Sequence, residues 1–396
     1  MFGFARGKQG KVMANQPPNP ESLAMPATRE PASLLSVDRA ISELRRGRII
    51  AMQGGDGHAL LATAAEGITD TKLNELNRLG KNQPMLALTS RRATVLGFAH
   101  PKGKVVTVNT GAQFNAQTIQ ELCDPLANCD VSALDIKTNE TSAYDSARSA
   151  VLLTKLARLL PAAVCVTLTS DSSVDLHAWC ARRDMMIVDA GDVFQYENVA
   201  ARSLTAVSEA RVPLEEAENC RIIAYRPVDG GLEHLAIVIG KPKESEPVLM
   251  RLHSECFTGD LLGSLRCDCG DQLRGAITEI SSRGSGILLY LAQEGRGIGL
   301  VNKLRAYTLQ DRGFDTLDAN EQLGFDADER IYMPAARMLN LLGFNKVRLM
   351  TNNPIKVEAL QACGVDVVER VQHSFPSNEH NEIYLETKKS KSGHHL

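Results

Sequence analysis

The segment ECFTGDLLGSLRCDCG, residues 255–270, carries Cys256, Cys267 and Cys269, three of the nine cysteines in the chain. Their C-x10-C-x-C spacing admits three readings: a disulfide, buried unliganded thiols, or thiolate ligands around a metal. A disulfide between adjacent-but-one cysteines closes a strained ring, and a reducing compartment disfavours it further. Unliganded thiols usually sit in apolar runs, whereas these lie among Asp260, Arg266, Asp268 and Asp271, so the metal reading ranks above that one. A closed structural zinc site needs a fourth protein ligand, and no fourth cysteine is near. Catalytic zinc sites use three protein ligands and leave the fourth position to water, which favours an open site here.

Two further readings attach to the same stretch. His253 and Glu255 form H-x-E just before Cys256, which resembles the zinc deaminases, but the later pair is C-x-C without the P-C-x-x-C of that signature, so a deaminase ranks lower. Downstream, YLAQEGRGIGL places Gly295, Gly297 and Gly299 between an apolar strand and a helix, with Arg296 among them. Such a turn can direct backbone N–H groups and a guanidinium at phosphate, although a tight strand-to-helix turn explains the glycines equally well. TNNPIKVEAL offers the same geometry again, with Thr351 at a strand end and Lys356 in the first helical turn. Together with Arg251 the two turns would make a cationic pocket for a polyphosphate; taken singly, each reads as a capping turn and a surface charge. Asp328 and Arg330 read either as an exposed helix-start pair or as a carboxylate placed to accept a proton beside an activated water.

The elements that must hold these residues follow from periodicity. Residues 36–48 read as a helix capped by Ser36 and stopped by Gly47, and IIAM, PMLALTS, KVVTVNT, AVCVTLT and MMIVDA read as strands alternating with helices. Residues 196–219 show no strong strand pattern. Beyond them come CRIIAYRPV and EHLAIVIG, then PVLMRLH, GILLYL, KVRLM and VDVVERV, separated by helices. In the last unit, Asn353 is the expected N-cap, Pro354 the first helical residue and Gly364 the stop. The expected fold class is α/β (α+β) in two domains, residues 36–204 and 205–396, after a disordered, proline-containing tail at 1–35.

Composition sets outer limits. The formal net charge of −3 argues against a generally basic nucleic-acid binder, and no apolar run approaches the roughly 20 residues of a membrane helix. The expected setting is cytoplasmic, with most cysteines, such as Cys123, Cys165 and Cys363, reduced and buried.

With these motifs in order, residues 205–396 resemble the GTP cyclohydrolase II family along essentially their whole length, through RLHSECFTGDLLGSLRCDCGDQL, GILLYLAQEGRGIGLVNKLRAYTLQD, DTLDANEQLGFDADERIYMPAARML and VRLMTNNPIKVEAL. The resemblance implies that Cys256, Cys267 and Cys269 bind one zinc ion and that a zinc-activated water attacks C8 of GTP. Formate is then lost and a diaminopyrimidine forms as the first step of riboflavin synthesis. It implies Arg330 as nucleophile at the α-phosphate with release of pyrophosphate, Asp328 as proton acceptor, and Tyr307 as the residue that completes the reaction. It implies GTP contacts at Arg251, Leu252, His253, Ser254, Glu255, Gln272, Glu294, Gly295, Arg296, Thr316, Thr351 and Lys356, a magnesium ion on the phosphates, and a homodimer. One departure is Ala292, where the family commonly has a basic residue.

The first domain is similar to 3,4-dihydroxy-2-butanone 4-phosphate synthase through AISELRRGRIIAM, TSAYDSARSAVLLTKLA and MMIVDAGDVFQY. That family holds magnesium in a glutamate-rich loop, where this chain reads QGGDGHALLA with only Asp56. The stretch bearing its histidine and glutamate is absent, because LARLLP runs almost directly into AAVCVTLT. The expectation is a catalytically inactive domain kept for folding, assembly or regulation. A bifunctional enzyme and a non-catalytic GTP-binding regulator are the alternatives.

Overall fold

The computed structural model describes residues 31–54, 59–80, 82–98, 103–109, 111, 114–127, 129–141, 145–168 and 175–373. Asp56, the C-terminal segment from 374 and most of the expected tail lie outside them. The chain forms two seven-stranded mixed sheets.

The first sheet is built from β1 (Ile50–Gln53), β2 (Ala59–Ala64), β3 (Met85–Thr89), β4 (Val105–Asn109), β5 (Lys137–Glu140), β6 (Ala162–Leu168) and β7 (Ile187–Asp189), in the order β5-β4-β3-β6-β2-β1-β7. Every pairing is antiparallel except that of β1 with β7. Its helices are α1 (Pro31–Arg45), α2 (Asp70–Leu79), α3 (Ser90–Val95), α4 (Ala116–Cys123), α5 (Ser146–Leu156), α6 (Leu176–Ala181) and α7 (Ala190–Arg202). Strand alternation sorts the side chains onto two faces. Ala87, Ala163 and Cys165 meet α1, α5 and α7, while Leu86, Leu88, Val164 and Val166 face the opposite layer.

The second sheet comprises β8 (Thr205–Arg211), β9 (Cys220–Arg226), β10 (His234–Ile239), β11 (Val248–Ser254), β12 (Gly286–Leu291), β13 (Lys346–Met350) and β14 (Asp366–Val371), in the order β14-β13-β11-β12-β10-β9-β8. Four neighbouring strands, β14, β13, β11 and β12, are parallel; the others are antiparallel. Helix α8 (Cys269–Ser282) covers one face, and α11 (Met333–Leu341) and α12 (Pro354–Ala362) cover the other.

Helices α9 (Leu300–Asp311) and α10 (Thr316–Leu323) lie between β12 and β13 in sequence, yet they complete the core of the first sheet. Ala306, Leu309, Ala319, Leu323 and Phe325 are buried with Leu61, Leu88, Ile119 and Val164. Polar contacts seal the same junction: Thr89 Oγ1 donates to Gly324 O at 2.7 Å, and Arg92 donates through Nη1 to Gln322 O at 3.1 Å. Arg305 meets Glu66 at 2.6 Å and Lys155 meets Glu329 at 2.6 Å.

Two local expectations are corrected. Helix α1 already includes residues 31–35, so Ser36 lies within the helix and does not cap it. Residues 196–219, which show no strand pattern, form the end of α7 and then β8, an exposed edge strand whose every residue faces solvent. Without a buried face such a strand carries no apolar alternation.

Candidate active site

The strand β11 stands between β13 and β12, and all three run parallel. The chain passes from β11 to β12 on one side, then returns across it to β13. Ligands in open α/β sheets bind beyond the carboxyl ends of strands where the order reverses in this way. The three loops leaving those carboxyl ends are the cysteine stretch, the glycine turn and TNNP, so the motifs scattered over about a hundred residues converge on one cleft.

Cys256, Cys267 and Cys269 come together with all their Sγ atoms within 4.8 Å of one another, and Cys256 Sγ lies 3.7 Å from Cys267 Sγ. Zinc–thiolate bonds of about 2.3 Å at tetrahedral angles put sulfurs about 3.8 Å apart, so the observed spacing suits the ion. The loop reaches this arrangement through a single π turn, Phe257–Leu261, whose Gly259 N–H donates to Cys256 Sγ at 3.3 Å. A Cβ on Gly259 would stand 2.7 Å from Cys267 Sγ and 3.0 Å from Cys256 Sγ. Hydrogen bonds from the other two thiols pull the Cys256 thiol down, while Cys267 is pushed up to about 11 and Cys269 well above its ordinary range. Three thiolates this close repel unless a cation lies among them, so the group could hold a metal ion.

The cysteine loop is braced from several sides. Asp260 accepts from Cys256 N at 3.0 Å, from Tyr290 Oη at 3.0 Å and from His253 Nε2 at 3.1 Å, and His253 stacks on Tyr290. Burial pushes the His253 imidazole down, against the pull of the Asp260 carboxylate. Glu294 is almost fully buried; its Oε2 accepts from Phe257 N at 2.6 Å and its Oε1 from Gly295 N at 2.8 Å. Lys303, on α9, donates to Glu294 Oε1 at 2.9 Å, Cys256 Sγ at 3.0 Å and Thr258 Oγ1 at 3.0 Å. One ammonium therefore ties the cysteine loop to the glycine turn. Tyr307 stands one turn further along α9, 3.4 Å from Thr258 Oγ1, with Arg266 over its ring.

The opposite wall is cationic. Arg251 on β11 is buried; its Nη1 donates to Met350 O at 2.9 Å and its Nη2 to Gln272 Oε1, which leaves Nε as a buried donor with no partner among the described residues. Burial lowers this guanidinium to about 10, partly offset by the Asp268 charge, so it stays charged near neutrality. Lys356 is buried in the first turn of α12 and donates to Leu252 O at 3.3 Å. That helix starts as expected: Asn353 Oδ1 accepts from Ile355 N at 3.0 Å, and Thr351 Oγ1 accepts from Asn353 N at 3.0 Å. In the glycine turn, Gly295, Arg296 and Gly297 are all left-handed, with φ of 64°, 60° and 99°. Arg330 lines the cleft with a bidentate grip on Asp328, through Nε at 2.8 Å and Nη2. Burial alone would raise the Asp328 carboxyl, but the charge and hydrogen bonds of Arg330, with Arg296 behind, hold it below the usual range.

Of the residues singled out in the sequence, Arg251, His253, Ser254, Glu255, Cys256, Cys267, Cys269, Gln272, Glu294, Gly295, Arg296, Tyr307, Thr316, Arg330, Thr351 and Lys356 line this cleft. Leu252 does not: alternation along β11 turns its side chain into the core beside Met250 and Leu289. Asp328 stands behind Arg330 and reaches the cleft through it. The sequence reading gives Lys303 and Tyr290 no role and takes Asp260 only as a charge beside the cysteines. For Lys303 the signal was its place on the helix after the glycine turn, four residues before Tyr307 and so on the same face.

The GTP cyclohydrolase II family model matches residues 205–372. The chain is also 53% identical over 371 residues to GTP cyclohydrolase-2 of Azospirillum brasilense, covering 92% of this chain and 94% of that one. The chain belongs to the GTP cyclohydrolase II family. A cyclohydrolase from Shigella boydii serotype 18, also named GTP cyclohydrolase-2, is 53% identical over 193 residues, which is 49% of this chain and 98% of its own length. The riboflavin biosynthesis protein RibBA of Phocaeicola vulgatus is 33% identical over 400 residues, 93% of this chain and 99% of its own. The chain is thus an enzyme of the riboflavin biosynthesis pathway, and the Shigella relative aligns with about half of it. Among the described residues no helix is long and apolar enough to cross a membrane.

Proposed function

We propose that this enzyme hydrolyses GTP with zinc held by Cys256, Cys267 and Cys269, releasing formate and pyrophosphate. The observation that carries the reading is the convergence of the three thiols, Arg330 with Asp328, and the cationic wall of Arg251, Arg296 and Lys356 on a single cleft. Zinc bound there supplies a Lewis acid that activates water for opening the guanine imidazole ring. Lys303 and Asp260 keep the thiols in register for it. Arg330 attacks the α-phosphorus as the bond to pyrophosphate breaks, the guanidinium proton passes to Asp328, whose two oxygens already lie on Nε and Nη2, and water then cleaves the N–P bond to free Arg330 and the 5′-monophosphate. Arg251, Arg296 and Lys356 neutralise the phosphates, joined by magnesium. Tyr307, beside Thr258 and the cysteines, completes the conversion to the diaminopyrimidine. Leu252 contributes its carbonyl, and His253, Ser254, Glu255, Gln272, Glu294, Gly295, Thr316 and Thr351 contact GTP.

The domain assignment in this reading is 36–204 and 205–396, with the first domain catalytically inactive and serving as a scaffold for α9 and α10. Exposed Leu261, Leu262 and Leu265 on the cysteine loop, together with exposed Val301 and Leu304 of α9, support a homodimer that covers these apolar side chains. Nine free cysteines support a cytoplasmic setting.

The deciding experiment is zinc-replete protein with GTP, following formate, pyrophosphate and the pyrimidine absorbance. Cys267→Ser should bind GTP but turn none over, and full activity in that variant would refute the metal assignment. A second reading, favoured by the full-length alignment with the RibBA relative, gives the first domain synthase activity. Turnover of ribulose 5-phosphate to formate and butanone phosphate would establish it in place of the inactive scaffold.

A further inference from the structure

The five residues between α5 and β6 press on the back of the glycine turn. Arg158, in that connection, has a left-handed backbone, with φ of 59°. Its Nη2 donates to Ala292 O at 2.9 Å, where the turn begins. Its aliphatic stem fills the space beside Gly299, where the turn ends: a Cβ there would stand 3.0 Å from Arg158 Cβ and Cδ. Its carbonyl accepts from Asn302 Nδ2 at 3.1 Å, and the same fully buried amide donates to Ile298 O at 3.0 Å. One side chain of the first domain therefore touches both ends of residues 292–299, and its backbone is tied to the residue before Gly299.

What lies between those ends is conformationally expensive. Three consecutive residues are left-handed, and one of them is Arg296, for which that region is unfavourable without support from its surroundings. Within the turn, Gly297 N donates to Gln293 O at 3.3 Å, Gly299 N to Glu294 O at 3.0 Å and Gly295 N to Glu294 Oε1 at 2.8 Å, and from outside it Glu329 N donates to Arg296 O at 3.1 Å. Burial lowers the Arg158 guanidinium, while Glu255 and Glu294 of the cleft oppose that shift, which places its charge close behind the site.

We propose that Arg158 is a positioning residue for the cyclohydrolase reaction, through which the first domain holds the turn that carries Arg296 into the cleft. The proposal rests on the function above and gives the first domain a specific task within it. Arg296 would touch substrate in the ground state and the transition state alike, so loosening the turn should weaken GTP binding more than it slows chemistry.

The test uses the full-length, zinc-replete chain. Arg158→Met keeps the stem against Gly299 and removes the donor to Ala292; the KM for GTP should rise about tenfold with kcat within about twofold and metal content per chain unchanged. Arg158→Lys, which restores a donor, should recover part of that loss. Asn302→Ala releases the other tie without altering charge and should raise KM in the same direction. Wild-type KM in both Arg158→Met and Asn302→Ala would overturn the proposal, as would failure of both to fold with metal bound, because the contact would then serve stability alone. Wild-type turnover of GTP tests the function separately, and if it is absent, GTP dissociation constants of the same variants decide the positioning role.

Discussion

Gly259→Ala adds one methyl group in the middle of the three thiols. The new Cβ would lie 2.7 Å from Cys267 Sγ, 2.9 Å from Cys269 Cβ and 3.0 Å from Cys256 Sγ. Non-bonded heavy atoms prefer about 3.5–4.0 Å, so the overlap is close to 1 Å at Cys267. The backbone at Gly259 is not left-handed, so the whole effect is steric. A thiol can rotate away from the methyl group, but only by leaving a ligand set that tolerates distance errors of about 0.2 Å. Even changes that merely reorient ligands cost about 10- to 100-fold in metal affinity, and displacing a ligand should reach the upper end or beyond. Metal content after dialysis against a graded chelator series, measured beside the rate of GTP turnover, reads this directly. Gly67→Ala is the matched control, because a Cβ there meets nothing within 4 Å. Stoichiometric metal retained by Gly259→Ala at chelator levels that leave the wild type loaded, with normal turnover, would refute the steric argument.

Three other substitutions probe the surrounding scaffold. Lys303→Met leaves Glu294 as a buried acid without its cation, since the two side chains are only 11% and 4% exposed; unfolding in denaturant should show a loss of about 3–5 kcal/mol, and an unchanged midpoint would count against the brace. Glu197, pushed up to about 7 by burial and then by the Glu329 charge, has a folded value above its unfolded one, so the wild type loses stability as pH rises from about 4.5 through about 7. Glu197→Gln should therefore match the wild type near pH 4.5 and exceed it by at most about 3 kcal/mol at pH 8, and an equal difference at both pH values would contradict this. Asn353→Ala removes the cap of α12 and should cost about 1 kcal/mol while raising the KM for GTP through Lys356; a change in neither would show that the cap is dispensable.

Much of the site was legible because its parts are local. The continuous apolar run GILLYL and the alternation in KVRLM marked strands, glycine and Asn-Pro signals marked the turns, and the C-x10-C-x-C spacing marked three thiols that converge. What escaped depends on contacts distant in sequence. Lys303 is one lysine among many until Glu294 and Cys256 are seen to share it. Helix α9 has apolar residues on more than one face: Ala306 and Leu309 are buried while Val301 and Leu304 are exposed, so its pattern does not say which sheet it covers. Strand β8 lacks a buried face altogether, and a serine before an apolar-periodic run reads as a cap even though Ser36 lies inside α1.

The packing of α9 and α10 against the first sheet also dictates an order of events during synthesis. The pairs that close this junction, such as Arg91 with Glu321 and with Asp326, are 230 and 235 residues apart in the chain. Until residue 325 has left the ribosome, Leu61, Leu88 and Val164 have no Leu309, Leu323 or Phe325 to bury them. The first domain therefore spends the translation of more than a hundred further residues with part of its apolar face open to water, a state prone to aggregation and to capture by chaperones. Truncated chains ending before α10 should be insoluble, and those extending past Phe325 should be the first to become soluble.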